Sequence, residues 1–190
     1  MNQPINILGF AGSLRKDSYN KALLRAALNF VPKDAKLEIF ELDGIPTFNQ
    51  DLESSVTEKV QEFKRKIKAS DALLIVTPEY NYSIPGVLKN AMDWASRPRG
   101  DNSFENKPVA IMSASTGLLG GARAQYHLRQ TCVFLNMFPL NKPEIFVTLA
   151  AQKFDTNGIL SDQKTGELIG QLLTNLAAWT RKLQTNPDGQ

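Results

Sequence analysis

Apolar positions along this chain recur with two alternating periods. Short, mainly apolar runs at 5–10, 72–77 and 109–114 have the length of strands buried on both faces, and 36–40 alternates as a half-buried strand does. Between them the spacing changes to three and four. Residues 20–30 place Ala22, Leu23, Ala26, Ala27 and Phe30 on one stripe. A helix opened by Ser54 or Ser55 and running to Ala69 does the same with Val56, Val60, Phe63 and Ile67. Further helices are predicted over 85–95, 122–136 and 164–183. Pro85 suits a first helical turn, where its fixed φ is already correct and its missing N–H is not needed. A last strand is predicted at 144–148. Residues 41–53 read as a turn-rich connection, 154–162 as an exposed loop, and the tail after Gln184 as frayed.

Strand and helix patterns that alternate five times imply an α/β fold. The predicted architecture is a doubly wound, five-stranded parallel sheet with right-handed crossovers and helices on both faces, giving three layers, α/β/α. Residues 1–185 read as one domain and 186–190 as a disordered tail, with no repeat or linker. Periodicity alone leaves the strand order open among wound sheets.

Composition narrows the function classes. At 190 residues the chain suits one domain able to bury roughly 70% of its unfolded surface. Its 42% hydrophobic and 22% charged residues are ordinary for a soluble globular protein. No apolar run approaches the roughly 20 residues that span a bilayer, so no membrane insertion is expected. Met1-Asn2-Gln3-Pro4 lacks a basic n-region and leads straight into a strand, so no secretory leader is expected and the chain is read as cytoplasmic. The formal net charge of +3 is small and scattered apart from Lys64-Arg65-Lys66, so nucleic acid is not an expected partner. The one cysteine, Cys132, excludes an intrachain disulfide and a cysteine-based metal site. The one histidine, His127, gives little support to a histidine-ligated metal or a Ser-His-Asp triad. No metal is expected; Cys132 reads as a buried hydrophobe and His127 as an exposed or interface residue.

Three segments at strand ends carry chemistry, the place where open α/β sheets bind ligands. The first, Gly12-Ser13-Leu14-Arg15-Lys16-Asp17-Ser18-Tyr19-Asn20, has neither a dinucleotide fingerprint nor a P-loop lysine. It offers hydroxyls (Ser13, Ser18), a guanidinium (Arg15), an amide (Asn20) and a helix start. That set suits a phosphate monoester, or equally a plain N-cap with Ser18 capping and Arg15 solvated. The second, Pro78-Glu79-Tyr80-Asn81-Tyr82-Ser83-Ile84-Pro85-Gly86, stiffens two tyrosines with two prolines. Its rings and the backbone amides of 79–82 would wall a flat aromatic ligand such as an isoalloxazine; alternatively Tyr80 or Tyr82 packs on a neighbouring loop. Glu79 reads as a structural acceptor for loop amides ahead of a proton donor, and Trp94 as helix core. The third, Ser115-Thr116-Gly117-Leu118-Leu119-Gly120-Gly121, allows close backbone approach to a ligand, or merely a tight turn.

Taken together these residues resemble a known family. Gly12-Ser13-x-Arg15-x-x-Ser18-x-Asn20, Pro78-Glu79-Tyr80-Asn81-x-Ser83-x-Pro85-Gly86-x-Leu88-Lys89-Asn90-Ala91-x-Asp93-Trp94, Gly120-Gly121-x-Arg123-x-Gln125-x-x-Leu128-Arg129 and Pro46-x-Phe48-Asn49-x-Asp51 are similar to motifs of the NAD(P)H-dependent FMN reductases, nearest the bacterial NAD(P)H:quinone and chromate reductases. The resemblance implies a flavodoxin-like fold with strand order 2-1-3-4-5. It implies FMN as bound cofactor, its phosphate held by Ser13, Arg15, Ser18, Tyr19 and Asn20. Pro78, Glu79, Tyr80, Asn81 and Tyr82 would flank its ring, and Ser115 and Gly117 would close the ring edge. NADH or NADPH would be the donor; small molecules such as quinones, free flavin, azo dyes or oxidised metal ions such as chromate would be acceptors. The flavin would carry the chemistry, so no catalytic side chain is expected. A homodimer or homotetramer is implied, with Arg123, Tyr126 and Glu144 as candidate contacts. The competing reading is a flavodoxin-type electron carrier with no substrate site of its own; such carriers tend to be acidic, and this chain is mildly basic.

Overall fold

The computed structural model describes residues 3–185, so the tail predicted at 186–190 lies outside the described residues. Strands β1 (Ile5–Ala11), β2 (Ala35–Phe40), β3 (Ala72–Val76) and β4 (Pro108–Ala114) form a parallel sheet in the order β2-β1-β3-β4. Helices α1 (Tyr19–Ala27), α2 (Glu58–Ala69), α3 (Gly86–Ala95), α4 (Ala122–Phe134) and α5 (Gln163–Thr185) cover both faces. The flavodoxin-like order is therefore present, with the chain reversing direction across the sheet at the β1/β3 boundary.

The fifth position is filled differently from expectation. Two short strands share it: β5 (Phe138–Pro139) pairs with the start of β4, and β6 (Ile145–Val147) with its end. The sequence predicts only the second. Pro139 and Pro143 have no N–H to donate, so a continuous ladder cannot form; the Leu140 N–H to the Val109 carbonyl, 2.8 Å, closes the β5 segment.

Other boundaries move for local reasons. Helix α2 starts at Glu58 with Thr57 before it, not at Ser54 or Ser55. The segment Gln50–Leu52 forms its own tight turn, capped by Asn49, whose side-chain oxygen accepts from the Asp51 N–H at 3.0 Å. Residues 154–162 are only partly exposed. Phe154 is buried and pairs with Leu160, and the Asp155 carboxylate accepts from the N–H groups of Asn157 and Ile159. Three consecutive basic residues cannot share one helix face. Lys64 is buried and pairs with Asp101 at 2.8 Å, while Lys66 pairs with Glu38.

Every residue of β3 is buried, and successive side chains enter opposite layers. Ala72, Leu74 and Val76 join the layer under α1 and α5, whereas Leu73 and Ile75 join the layer under α2, α3 and α4. Each of the leucine, isoleucine and valine side chains contributes about 1.5–3 kcal/mol on burial. Phe10, Phe40 and Phe63 lock the second layer, with ring centroids 5.2 and 4.9 Å apart. The sheet is a stiff platform whose strand ends project three loops at one edge.

Candidate functional site

The second loop is a tight hairpin. Tyr80 and Ser83 exchange both backbone hydrogen bonds at 2.9 Å, and the two residues between them are left-handed, Asn81 at φ 49° and Tyr82 at φ 69°. Two consecutive left-handed residues define a type I′ turn, which matches the twist of a hairpin. Asn tolerates that geometry; for Tyr it costs on the order of 1 kcal/mol. The contact that holds Tyr82 there comes from α4, where the Arg123 guanidinium stacks 3.6 Å from the ring centre.

Glu79 fixes Arg123 in turn. Its side chain is 9% exposed and pairs with the guanidinium, and its other oxygen accepts from the Arg123 backbone N–H at 3.1 Å. The residue before α4 is Gly121, which has no side chain to cap the helix, so Glu79 supplies the acceptor from another loop. The hydrogen bond to Glu79 raises the Arg123 pKa further, so the guanidinium stays charged. With both carboxylate oxygens engaged, Glu79 serves as a structural acceptor.

The third loop depends on its paired glycines. Gly120 and Gly121 are left-handed at φ 57° and 86°. A Cβ would lie 2.8 Å from the Phe146 carbonyl carbon at Gly120, and 2.8 Å from the Ser113 Cβ at Gly121. A buried polar clamp holds this corner: Ser113 Oγ donates to the Gly120 carbonyl at 2.6 Å, and Gln125 Nε2 donates to Ser113 Oγ and to the Ile145 carbonyl, each at 2.8 Å. Ser115 Oγ accepts from the Gly117 N–H at 3.1 Å. Second and third loops face each other across a cleft of about 480 Å³ that includes Glu79, Asn81, Tyr82, Ser115, Gly117 and Arg123. That volume suits a small-molecule site.

Residues of the first loop do not line this cleft; they lie beside it. Ser18 caps α1, accepting from the Lys21 N–H at 3.4 Å, and no acidic residue stands in the first turn of that helix. Ser13 Oγ accepts from the Arg15 N–H, and the Arg15 guanidinium folds onto the Asp17 carbonyl. Ser13, Ser18, Arg15 and the amides opening α1 therefore gather at one helix N-terminus. Tyr19 and Asn20 turn inward. The Tyr19 ring packs on Phe154 with centroids 5.6 Å apart, and the Asn20 amide bonds both backbone groups of Ala114 at 2.9 Å. Pro78 is buried beneath the hairpin, its carbonyl accepting from Thr77 Oγ1, and Tyr80 is exposed beside it.

Several other features stand apart. A larger concavity of about 1070 Å³ lies between β2 and α2 and mixes Lys36, Glu38, Glu58 and Arg65; none of the three loops reaches it. His127 Nδ1 sits 3.0 Å from Ser83 Oγ on the outer side of the hairpin. Cys132 is buried, and burial pushes its thiol up to about 12, so it is protonated at neutral pH. Trp94 is buried with its Nε1–H on the Pro46 carbonyl at 2.8 Å. Among the described residues no cluster of His, Cys, Asp or Glu could hold a metal ion, and no helix is long and apolar enough to cross a membrane.

Sequence reasoning assigned no role to the Ser113–Gln125 clamp. One signal was present: Gln125 falls in step with Leu128 and Cys132 on the buried stripe of α4. A polar residue in an apolar register must find buried partners.

Relatives of this chain bear on the site. A family model described as NADPH-dependent FMN reductase matches residues 5–152. An NAD(P)H-dependent FMN reductase of Pseudomonas aeruginosa is 50% identical over 185 residues, spanning 97% of this chain and 100% of that protein. A 2-hydroxy-1,4-benzoquinone reductase of a Burkholderia species is 41% identical over 177 residues, 93% of this chain and 97% of the other. Among solved structures, the flavoenzyme NAD(P)H:(acceptor) oxidoreductase FerB of Paracoccus denitrificans matches with a TM-score of 0.86 at 33% identity, over 94% of this chain and 98% of that one.

The residues present fit the flavin that the family name implies. A helix N-terminus free of acid, with Arg15 and two serines, suits a phosphate. A cleft edged by Cβ-free backbone at Gly117 and Gly121 and by the Tyr82 ring suits a flat ring. With one model covering most of its length and relatives aligned nearly end to end, the chain belongs to the NADPH-dependent FMN reductase family.

Proposed function

We propose that residues 1–185 form one FMN-binding domain that passes reducing equivalents from NADH or NADPH to small two-electron acceptors, quinones first among them. The observation that carries this reading is the placement of the left-handed hairpin opposite the glycine-rich third loop, across one cleft at the ends of β3 and β4, next to the sheet's switch point. The names of the quinone-reducing relatives support the acceptor class.

FMN, when bound, would supply the two-electron redox chemistry between the pyridine nucleotide and the acceptor. In balance, NAD(P)H, one proton and a quinone give NAD(P)⁺ and a hydroquinone. The chain binds and orients. Ser13, Arg15, Ser18 and the first amides of α1 take the phosphate. Backbone amides within 79–82 would meet the polar edge of the ring, except that of Tyr80, which is spent on the Ser83 carbonyl. Tyr80 and Tyr82 would stand beside the ring, and Ser115 and Gly117 would close the far side. Arg123, which lines the cleft and is paired with Glu79, would hold the Tyr82 side of the site in place and offer a charged donor there. Because the cleft is open, free flavin, azo dyes and oxidised metal ions such as chromate are further acceptors in this proposal.

A homodimer or homotetramer completes the picture. Helix α4 leaves Val133 and Phe134 exposed at 80% and 88%, with Tyr126 two turns earlier and close to Arg123 in sequence. A second copy covering that face would also approach Glu144. We place the enzyme in the cytoplasm, where its nucleotide donors are found. The test is anaerobic: FMN-loaded protein mixed with excess NADH or NADPH should lose its visible flavin absorbance, and a flavin left unbleached by both overturns the reading. A steady-state panel of acceptors then ranks quinones against the others.

A further inference from the structure

We propose that the Asn20 side chain is a positioning group that sets the separation between the phosphate end and the ring end of the FMN site, without itself touching the phosphate. This rests on the FMN reading above.

The starting point is where the sheet opens. Pairing of β3 with β4 ends at Val76 opposite Met112, and the last bond runs from the Thr77 N–H to the Met112 carbonyl at 3.0 Å. Beyond it β3 departs at Pro78 to build the hairpin, while β4 continues to Ala114. On its other side β4 stays paired, with the Ser115 N–H on the Val147 carbonyl at 3.0 Å. Backbone groups of successive strand residues point alternately left and right. The N–H and C=O of Ala114 therefore face the gap that β3 has left.

Asn20 fills that gap. Its Oδ1 accepts from the Ala114 N–H and its Nδ2 donates to the Ala114 carbonyl, both at 2.9 Å, with the residue only 3% exposed. A carboxamide offers one acceptor and one donor side by side, so here it stands in for one residue of a neighbouring strand. Without it two buried peptide groups would have no partner. Asn20 is the second residue of α1, and Ala114 directly precedes Ser115. The pairing thus ties the helix N-terminus offered to the phosphate to the loop offered to the ring. The amide is spent inward, which leaves the phosphate to Ser13, Ser18, Arg15 and the backbone.

The test separates a ruler from a ligand by using FMN beside riboflavin, which lacks the phosphate. Asn20→Asp keeps the acceptor for the Ala114 N–H but sets a carboxylate oxygen against the Ala114 carbonyl. Asn20→Ser is a milder change that keeps the test available if the first variant folds poorly. Dissociation constants are measured by quenching of flavin fluorescence, on protein shown to be folded by far-ultraviolet circular dichroism. Both flavins should weaken by the same factor, about tenfold or more for Asn20→Asp. The visible circular dichroism of bound riboflavin should change as well, because the ring end has shifted. Weakening confined to FMN, with riboflavin unaffected, overturns the proposal and makes Asn20 a phosphate ligand. Unchanged affinity for both flavins in folded variants overturns it too, leaving Asn20 a residue of the fold alone. Failure of the unsubstituted chain to take up either flavin would instead remove the FMN reading, and this proposal with it.

Discussion

The guanidinium carbon of Arg123 lies 3.6 Å from the centre of the Tyr82 ring, and the same guanidinium is paired with Glu79. Three residues from one loop and one helix thus form one stack, with the aromatic ring outermost and the carboxylate innermost. Replacing Arg123 by Met leaves the Glu79 carboxylate, 9% exposed, with only a backbone N–H for company. An uncompensated carboxylate is costly in such a place. Arg123→Met should lower the melting temperature, and adding Glu79→Gln should recover part of the loss. Calorimetry of the two single variants and the double variant checks this; strictly additive losses would show that the pair is not coupled.

Gly121 has no substitute. At φ 86°, with a prospective Cβ 2.8 Å from the Ser113 Cβ, Gly121→Ala meets both backbone strain and overlap. The strain alone is about 1–2 kcal/mol. At about 2–4 °C per kcal/mol for a chain of this size, the melting temperature should fall by roughly 5 °C, and bound FMN should be lost on gel filtration. A variant that melts with the wild type and keeps its flavin would contradict the account of the third loop.

The Gln125 clamp gives a third test. Gln125→Met removes the donor to Ser113 and to the Ile145 carbonyl while keeping similar bulk. The lost bonds amount to about 2 kcal/mol. Thermal unfolding should register this, and FMN affinity should fall because the Gly120 carbonyl loses its brace. Gln125→Glu, which has only oxygens where the amide donated, should not restore either property at neutral pH.

Acid stability should depend on Asp162. Hydrogen bonds from Lys153 and then Thr165 hold its carboxyl at about 2, against an ordinary 3.8. Because the folded value is the lower one, this stabilisation is complete above pH about 4 and disappears as pH falls toward 2. The group lies close to solvent, so the effect is modest. Melting temperature plotted between pH 6 and pH 2 should drop across that window in the wild type. In Asp162→Asn the curve should start lower and fall less; parallel curves would refute the assignment.

Much of the fold was legible because β3 is apolar at every position and β4 at every position but Ser113, the pattern of strands buried on both faces. β5 escaped because Phe138–Pro139 is two residues long and is identified only by its partners in β4. The same contrast runs through the site. Proline, glycine and tyrosine content marked all three loops, since those residue types constrain the backbone locally. The bond between Asn20 and Ala114 spans 94 positions of sequence, and no local pattern encodes it. Sequence therefore suggested Asn20 as a donor to the ligand, where the structure has its amide bonded to β4. Glu79 was foreseen as an acceptor for loop amides; that its partner is the start of α4 depends on tertiary approach.

Leu118 and Leu119 protrude between two fixed points. Ser115 is tied to Val147 and Ala150 on one side, and the Gly120 carbonyl to Ser113 on the other. Their side chains form an oily visor over the cleft whose frame does not depend on them. We expect exchange of these two leucines to redirect which oxidants are preferred while folding and flavin retention stay as they are, making this short arc the natural handle for retuning the enzyme.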